Sequence, residues 1–421
     1  MIAVTPEKVY RDIAAVCALS QFNDHIRSHV IDEADLSPAA AEAGATKYIE
    51  ARRYIAEPVQ WKVFSHCASV TRLYALYEGF VYELVSAWLE VVPSLYPSYA
   101  RLPDAIINQH RVGVGVLLQK FGGGFRNDEL TELRIVQPLY SGLSGQQDFS
   151  LISDAFFADL RNLRHDELCS LFRRVSLDNL SGWLGGHAEL QAMCNAAGTT
   201  VVGRLKELID FRNEASHARQ EIDETLGVSA LQEIAEFIQL LCGALHEFVT
   251  ARYIDVLQQA GRLESLGRIT EYLPRPDATI LTTGVAVQVS VGDAVIARGH
   301  RTCIATTISS LQDHDRAVET FSANAGYELG VKFQPTVTRV GVHIYRVRPT
   351  GPGGDVDVAV AADAPAARSD KAIAPPAVYP APVADEGVRP PAVAVADAVN
   401  ASGSWHWVLD ALHRLQSWFR R

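Results

Sequence analysis

The sequence predicts a multidomain α + β fold, in which an all-α helical bundle precedes a small closed β-barrel. Up to about residue 265 the apolar residues recur every three or four positions, as on one face of a helix. From 266 to 348, short Val-, Ile- and Thr-rich segments alternate with Gly and Asp, as in strands and turns. A Pro- and Ala-rich segment then predicts a disordered linker. The predicted divisions are an N-terminal helical extension (1–60), a helical domain (61–265), a β-barrel (266–348), the linker (349–402) and an amphipathic helix (403–421).

Composition limits the classes of function. With 421 residues and 48% hydrophobic content, the chain can bury more than one core. A formal net charge of -11 argues against non-specific coating of nucleic acid, which requires many cations facing phosphates. The cysteines are scattered, without a C-x-x-C pair or zinc-ligand spacing. The N-terminus lacks a basic region followed by an apolar core, and no apolar run looks long enough to span a bilayer, so we expect a cytoplasmic protein with reduced thiols.

Two long helices dominate the predicted bundle. In "SVTRLYALYEGFVYELVSAWLEVV" the apolar residues form one wide face, and its tyrosines are expected to be core rather than a platform for bases. In "SALQEIAEFIQLLCGALHEFVTARYIDVL", Ser229 and Gln232 have capping-box spacing. Shorter helices are predicted around 105–121, 156–175 and 200–213. The glycines at 122–124 are interpreted as a loop, because no strand precedes them and no Lys-Ser/Thr follows.

The strand-rich segment and the tail are interpreted separately. Short strands at even spacing favour a closed barrel, because closure removes exposed edges. At the end of the chain, one helical face is apolar and large enough to require a partner, with Trp405, Val408, Leu409, Leu412, Leu415 and Phe419 on it. This tail helix is predicted to bind a protein groove, or else a membrane surface, with docking onto its own helical domain the third alternative.

The stretch "DFRNEASHAR" is the most polar interruption of the helical region. Asn213 and His217, four residues apart, project from one side of a helix, and Arg212 lies beside that side. A guanidinium can bind phosphate oxygens and an imidazole can move a proton near neutral pH, which is what phosphodiester cleavage requires. The alternative interpretation is a solvated helix end, since so short a pattern also arises by chance.

A second stretch, "LRNLRHDEL", offers a similar set in Arg161, Asn162 and His165. If it is helical, Arg161 and His165 share a face, and Asp166 and Glu167 follow to pair with the cations. We interpret this stretch as a solvated helix side and not as the site.

The residues from Arg212 to His217 resemble the R-x4-6-H motif of the HEPN superfamily, in which Asn, Asp or His commonly follows the Arg. The surroundings, from about 61 to 261, resemble its bacterial RiboL-PSP-type branch, although Ala218 stands where a Gly often follows the His. The resemblance implies a dimerising all-α bundle and a metal-independent ribonuclease. It also implies that His217 is the general base or acid, that Arg212 clamps the phosphate and the transition state, and that Asn213 orients either the imidazole or the phosphate.

The segment from 267 to 347 resembles the second, β-barrel domain of translational GTPases of the elongation factor Tu type, through its V-G-D, I-x-S-L-Q and G-x-x-x-G-V-K phrases. No P-loop accompanies it. Such a barrel can serve as a docking scaffold or contact RNA, because a fold alone does not assign a function. For RNA contact the candidates are Arg298, His300, Arg301, Arg339 and Arg346.

Together these interpretations predict a homodimeric, metal-independent endoribonuclease without a cofactor. Its expected substrate is structured RNA such as tRNA, and its expected setting is bacterial defence or a toxin–antitoxin system with an antitoxin or another defence partner. The alternatives are a HEPN module that binds RNA or nucleotide without cutting it, and a protein-interaction module.

Overall fold

The computed structural model of the chain describes residues 4–32, 58–122, 130–216, 225–299, 303–314 and 316–348. The described helices lie before residue 260, and the described strands lie after residue 262. The helices are α1 (Glu7–Asp32), α2 (Pro58–Val91), α3 (Asp104–Gly122), α4 (Glu132–Leu143), α5 (Asp154–Phe157), α6 (His165–Arg174), α7 (Leu180–Gly186), α8 (Ala188–Ala196), α9 (Val201–Ser216) and α10 (Val228–Gln259). Short 3-10 turns at Val92–Ser94 and Tyr99–Arg101 link α2 to α3.

Helices α2 and α10 form the centre of the bundle, and α1 packs against both. The predicted apolar face of α2 is buried, and Tyr77 on that face is fully enclosed, so the prediction that this residue belongs to the core is confirmed. Val9 and Ile13 of α1 lie in the same apolar cluster as α2 and α10. The first helix is therefore part of the bundle core.

Helix α10 is long and apolar enough, by length and composition, to cross a membrane, contrary to the expectation from the sequence. Half of its most apolar window is buried inside the protein. Its buried apolar residues are distributed around the helix circumference, because the helix packs against several other helices. This is the pattern of a central core helix.

Two local predictions for the helical region are wrong. The stretch 156–175 is not one helix: α5 ends at Phe157 and α6 begins at His165. Between them the backbone N–H of Leu163 donates to Tyr74 Oη (3.1 Å) and its carbonyl accepts from Tyr77 Oη (3.1 Å), so side chains of α2 replace the helical hydrogen bonds. Ser229 is not the N-cap of α10, because the helix already begins at Val228 after Gly227.

The described β region consists of two antiparallel sheets. Its strands are β1 (Leu263–Leu273), β2 (Ala278–Thr282), β3 (Val287–Ser290), β4 (Ala294–Arg298), β5 (Cys303–Asp313), β6 (Arg316–Val318), β7 (Thr320–Ala323), β8 (Glu328–Gln334) and β9 (His343–Val347). The larger sheet has the order β4-β9-β1-β2-β8-β5-β6, and β4 also pairs with β5, so the pairings form a ring. Strands β3 and β7 pair separately. Alternate residues of the ring face a second apolar cluster inside it.

Side chains of α10 hold the β region against the helices. Arg298 of β4 donates to Asp255 and, through Nη1, to Gln258 Oε1 at 3.1 Å. Cys303 and Ile296 belong to the apolar cluster of the helical core and not to that of the sheet. The two regions thus share a packed junction. The predicted linker and tail helix, 349–421, lie outside the described residues.

Candidate active site

Helix α9 carries the polar stretch at its C-terminal end. Leu205, Leu208 and Ile209 are fully buried and face the bundle. Arg212 follows Leu208 by four residues and Ile209 by three, so it continues the buried stripe where another apolar residue would be expected. The sequence therefore directs this guanidinium toward the core side of the helix and not toward solvent.

The guanidinium of Arg212 lies over an aromatic ring of α2. Its Cζ is 4.9 Å from the centroid of the Tyr74 ring, a cation–π geometry worth about 0.5 to 2 kcal/mol in proteins. Arg212 Nη1 also donates to Asn213 Oδ1 at 3.0 Å. These two contacts orient the guanidinium. A guanidinium that donates N–H groups to phosphate oxygens must have a defined orientation.

Asn213 connects α9 to the segment before α6. Its Oδ1 accepts from Asn162 Nδ2 at 3.3 Å as well as from Arg212. The stretch that we interpreted as a solvated helix side is instead irregular at 160–164, and it places Asn162 beside the candidate site. The interpretation was wrong because the hydroxyl groups of α2 bind the backbone of Leu163, as described above. Arg161 remains exposed.

Below the guanidinium, Tyr74 is linked to a carboxyl group. Tyr74 Oη donates to Glu78 Oε1 at 3.1 Å, one helical turn further along α2. Burial raises the pKa of Glu78 above its ordinary value, while the hydrogen bond from Tyr74 and the charge of Arg212 act in the opposite direction. Burial raises the pKa of Tyr74 as well, so its hydroxyl is neutral and can donate.

His217 lies outside the described residues, and its imidazole has no assigned position. Ser216, directly before it, and Leu226, nine residues after it, both make hydrogen bonds. Ser216 Oγ donates to the carbonyl of Arg212 at 2.8 Å, and Leu226 N donates to Nδ1 of the buried His66 at 3.2 Å. Burial lowers the pKa of His66, so this imidazole is neutral and accepts the bond.

The candidate RNA contacts of the β region are in different environments. Arg346 donates from Nη2 to Glu264 at 2.9 Å and from Nη1 to Asp293 at 3.0 Å, and Arg298 forms the junction with α10. These two side chains therefore have structural roles within the protein. Arg339 is exposed in the segment between β8 and β9, while His300 and Arg301 lie outside the described residues.

The structure adds three residues to those that the sequence suggested: Tyr74, Glu78 and Asn162. Glu78 had a detectable signal, because it is the single acidic residue between Ser69 and Tyr82 and lies among the apolar residues of the predicted buried face. Among the residues that the structure describes, no group of three or more His, Cys, Asp or Glu could hold a metal ion.

Comparison with known proteins identifies the helical region. A family model described as MAE_28990-like HEPN matches residues 26–254, which is more than half of the chain and includes both α2 and the polar end of α9. No curated protein matches the chain. The match begins earlier than the resemblance traced from the sequence and includes only the C-terminal end of α1. The chain belongs to the HEPN superfamily, whose members are ribonucleases or nucleotide-binding proteins.

Proposed function

We propose that this protein is a metal-independent endoribonuclease that cleaves structured RNA such as tRNA by transesterification. The observation that carries the proposal is the fixed guanidinium of Arg212, held on the Tyr74 ring and tied to Asn213, inside an R-x4-H motif of a HEPN domain. An oriented guanidinium stabilises the charge that gathers on phosphate oxygens in the transition state.

In the proposed reaction, the ribose 2′-oxygen attacks the adjacent phosphorus and the bond from phosphorus to the 5′-oxygen breaks. A general base takes the 2′-hydroxyl proton, and a general acid protonates the leaving 5′-oxygen. The products are a 2′,3′-cyclic phosphate and a 5′-hydroxyl. His217 is assigned to proton transfer, Arg212 to the non-bridging oxygens, and Asn213 to the orientation of Arg212 through its Oδ1.

We further propose that the protein acts as a homodimer, with two copies of the motif facing one composite site, in bacterial defence or a toxin–antitoxin system. The β region is proposed to be a small barrel of the elongation factor Tu type. Because Arg298 and Cys303 join it to the helical core, it would present RNA or a partner to the bundle in one orientation. Arg339, His300 and Arg301 are the remaining candidates for RNA contact.

The test uses the full chain, labelled tRNA and analysis of the product ends. The wild type is expected to produce 2′,3′-cyclic phosphate ends, to remain active in EDTA, and to spare DNA, which lacks the attacking hydroxyl. His217→Ala is expected to lower the rate by about 10²- to 10⁴-fold, the usual contribution of general acid–base catalysis. Binding of tRNA without cleavage by the wild type would favour the non-catalytic alternative, and cleavage that requires Mg²⁺ would contradict the mechanism.

A further inference from the structure

Glu78 is a half-buried carboxyl group beside the candidate site, and the proposed reaction assigns it no role. It lies on α2, whose neighbouring side chains Tyr77 and Phe80 are buried in the bundle. A carboxyl group in such surroundings is costly unless polar or charged neighbours compensate it. The compensating neighbours are the hydroxyl of Tyr74 and the charge of Arg212.

The hydroxyl of Tyr74 is fixed from two directions. It accepts the backbone N–H of Leu163 at 3.1 Å, and its own proton is directed to Glu78 Oε1, also at 3.1 Å. A phenol hydroxyl has one proton to donate, so these two contacts define its orientation. The ring plane below Arg212 is thereby held by the irregular segment on one side and by Glu78 on the other.

We propose that Tyr74 and Glu78 are positioning residues for Arg212: the ring supports the guanidinium, and the carboxylate holds the ring hydroxyl and attracts the cation. The expected effect on kcat rests on the proposed ribonuclease function. The coupling between Tyr74, Glu78 and Arg212 does not depend on it. Neither residue is assigned a contact with substrate. Their effect is to keep the guanidinium aligned before RNA binds, so that alignment does not have to be gained during the reaction.

A direct test follows the titration of the Glu78 carboxyl carbon by NMR in the full chain. Arg212→Leu removes the cation and Tyr74→Phe removes the donated hydrogen bond, so each variant is expected to raise the pKa of Glu78 relative to the wild type. Glu83→Gln on the exposed side of α2, where Glu83 pairs with Lys8, is the matched control and should leave the titration unchanged. If neither Arg212→Leu nor Tyr74→Phe moves the titration, the inference is overturned whether or not the protein cleaves RNA.

The kinetic test compares conservative variants that retain shape. Tyr74→Phe and Glu78→Gln are expected to lower kcat by about tenfold each while KM changes by less than about threefold, because the lost alignment matters most in the transition state. Glu83→Gln is again the control: Glu83 lies on the exposed side of the same helix, where it pairs with Lys8, and this variant should retain wild-type kcat.

The two tests also separate the inference from the proposed function. Wild-type kcat in both Tyr74→Phe and Glu78→Gln would contradict the positioning role. A wild type without ribonuclease activity would instead contradict the proposed function, while the NMR titration would still decide whether Tyr74, Glu78 and Arg212 are coupled. Among the described residues, Tyr74 and Arg212 act on the pKa of Glu78, and the Glu78 charge adds to burial in raising the pKa of Tyr77 and Tyr82 on its own helix.

Discussion

The two Arg/Asn/His stretches of the helical region, 161–165 and 212–217, are similar in sequence and different in their surroundings. In the first, Arg161 is exposed, and the imidazole of His165 contacts its neighbours Asp166 (3.3 Å) and Cys169 (3.7 Å). In the second, Arg212 lies on a buried tyrosine ring and donates to Asn213. A guanidinium in solvent has no defined direction, whereas one held by a ring and an amide does.

The two stretches are also in contact, so the first lies beside the candidate site. Asn162 donates to Asn213, and Arg164 Nη2 lies 3.7 Å from Asp210 Oδ1. The first stretch supplies an amide and a buried backbone segment, and the second supplies the cation. Similar residue patterns can therefore have different surroundings, and those surroundings become visible only in the packing.

The largest expected effect separates the two arginines. Arg212→Ala should lower RNA cleavage by about 10²- to 10³-fold, the usual result of removing one transition-state donor. Arg161→Ala should leave the rate within about twofold, because an exposed surface side chain contributes little. Initial rates on labelled tRNA measure both. Equal losses of activity in the two variants would show that Arg161 contributes to cleavage as much as Arg212, and would contradict the prediction.

The sequence was sufficient to predict that helices precede strands, because apolar periodicity can be read without tertiary information. It was not sufficient for Asn162. Whether residues 158–164 continue a helix depends on two hydroxyl groups of Tyr74 and Tyr77, more than 80 positions away, that bind the backbone of Leu163. The same holds for Glu78, whose proximity to Arg212 arises only when α2 packs against α9.

The second prediction concerns the stability that the first stretch provides. Leu163 is fully buried beneath Tyr74 and Tyr77, so Leu163→Ala should lower the free energy of unfolding by about 2 to 3 kcal/mol. This is the lower part of the usual range, because an irregular segment can relax into the cavity better than a helix can. Urea unfolding followed by circular dichroism measures it, with Leu160→Ala, a partly exposed neighbour, as the control of smaller effect. A loss below that of the control would contradict the anchoring of this segment.

The third prediction tests the contact between the stretches. Asn162→Ala and Asn213→Ala should each destabilise the protein, and the double variant should lose less than the sum, with a coupling of about 0.5 to 1.5 kcal/mol. The coupling arises because each single variant already removes the 3.3 Å bond between them. Urea unfolding of the four proteins gives the coupling energy. Strict additivity would mean that the two amides do not interact.

The smallest effect is expected at His165, although it is the first stretch's counterpart of His217. Its side chain is 14% exposed, and its ring nitrogens face Asp166 and Cys169 of its own helix, α6. Because the ring nitrogens of His165 already have local partners at the first turn of α6, His165→Ala should change kcat by less than about twofold. His165→Gln keeps a polar side chain but has no ionisable ring. Comparison with His165→Ala therefore separates the loss of packing from the loss of the imidazole. If both variants abolish cleavage at unchanged stability, the proton-transfer assignment belongs to His165 and not to His217.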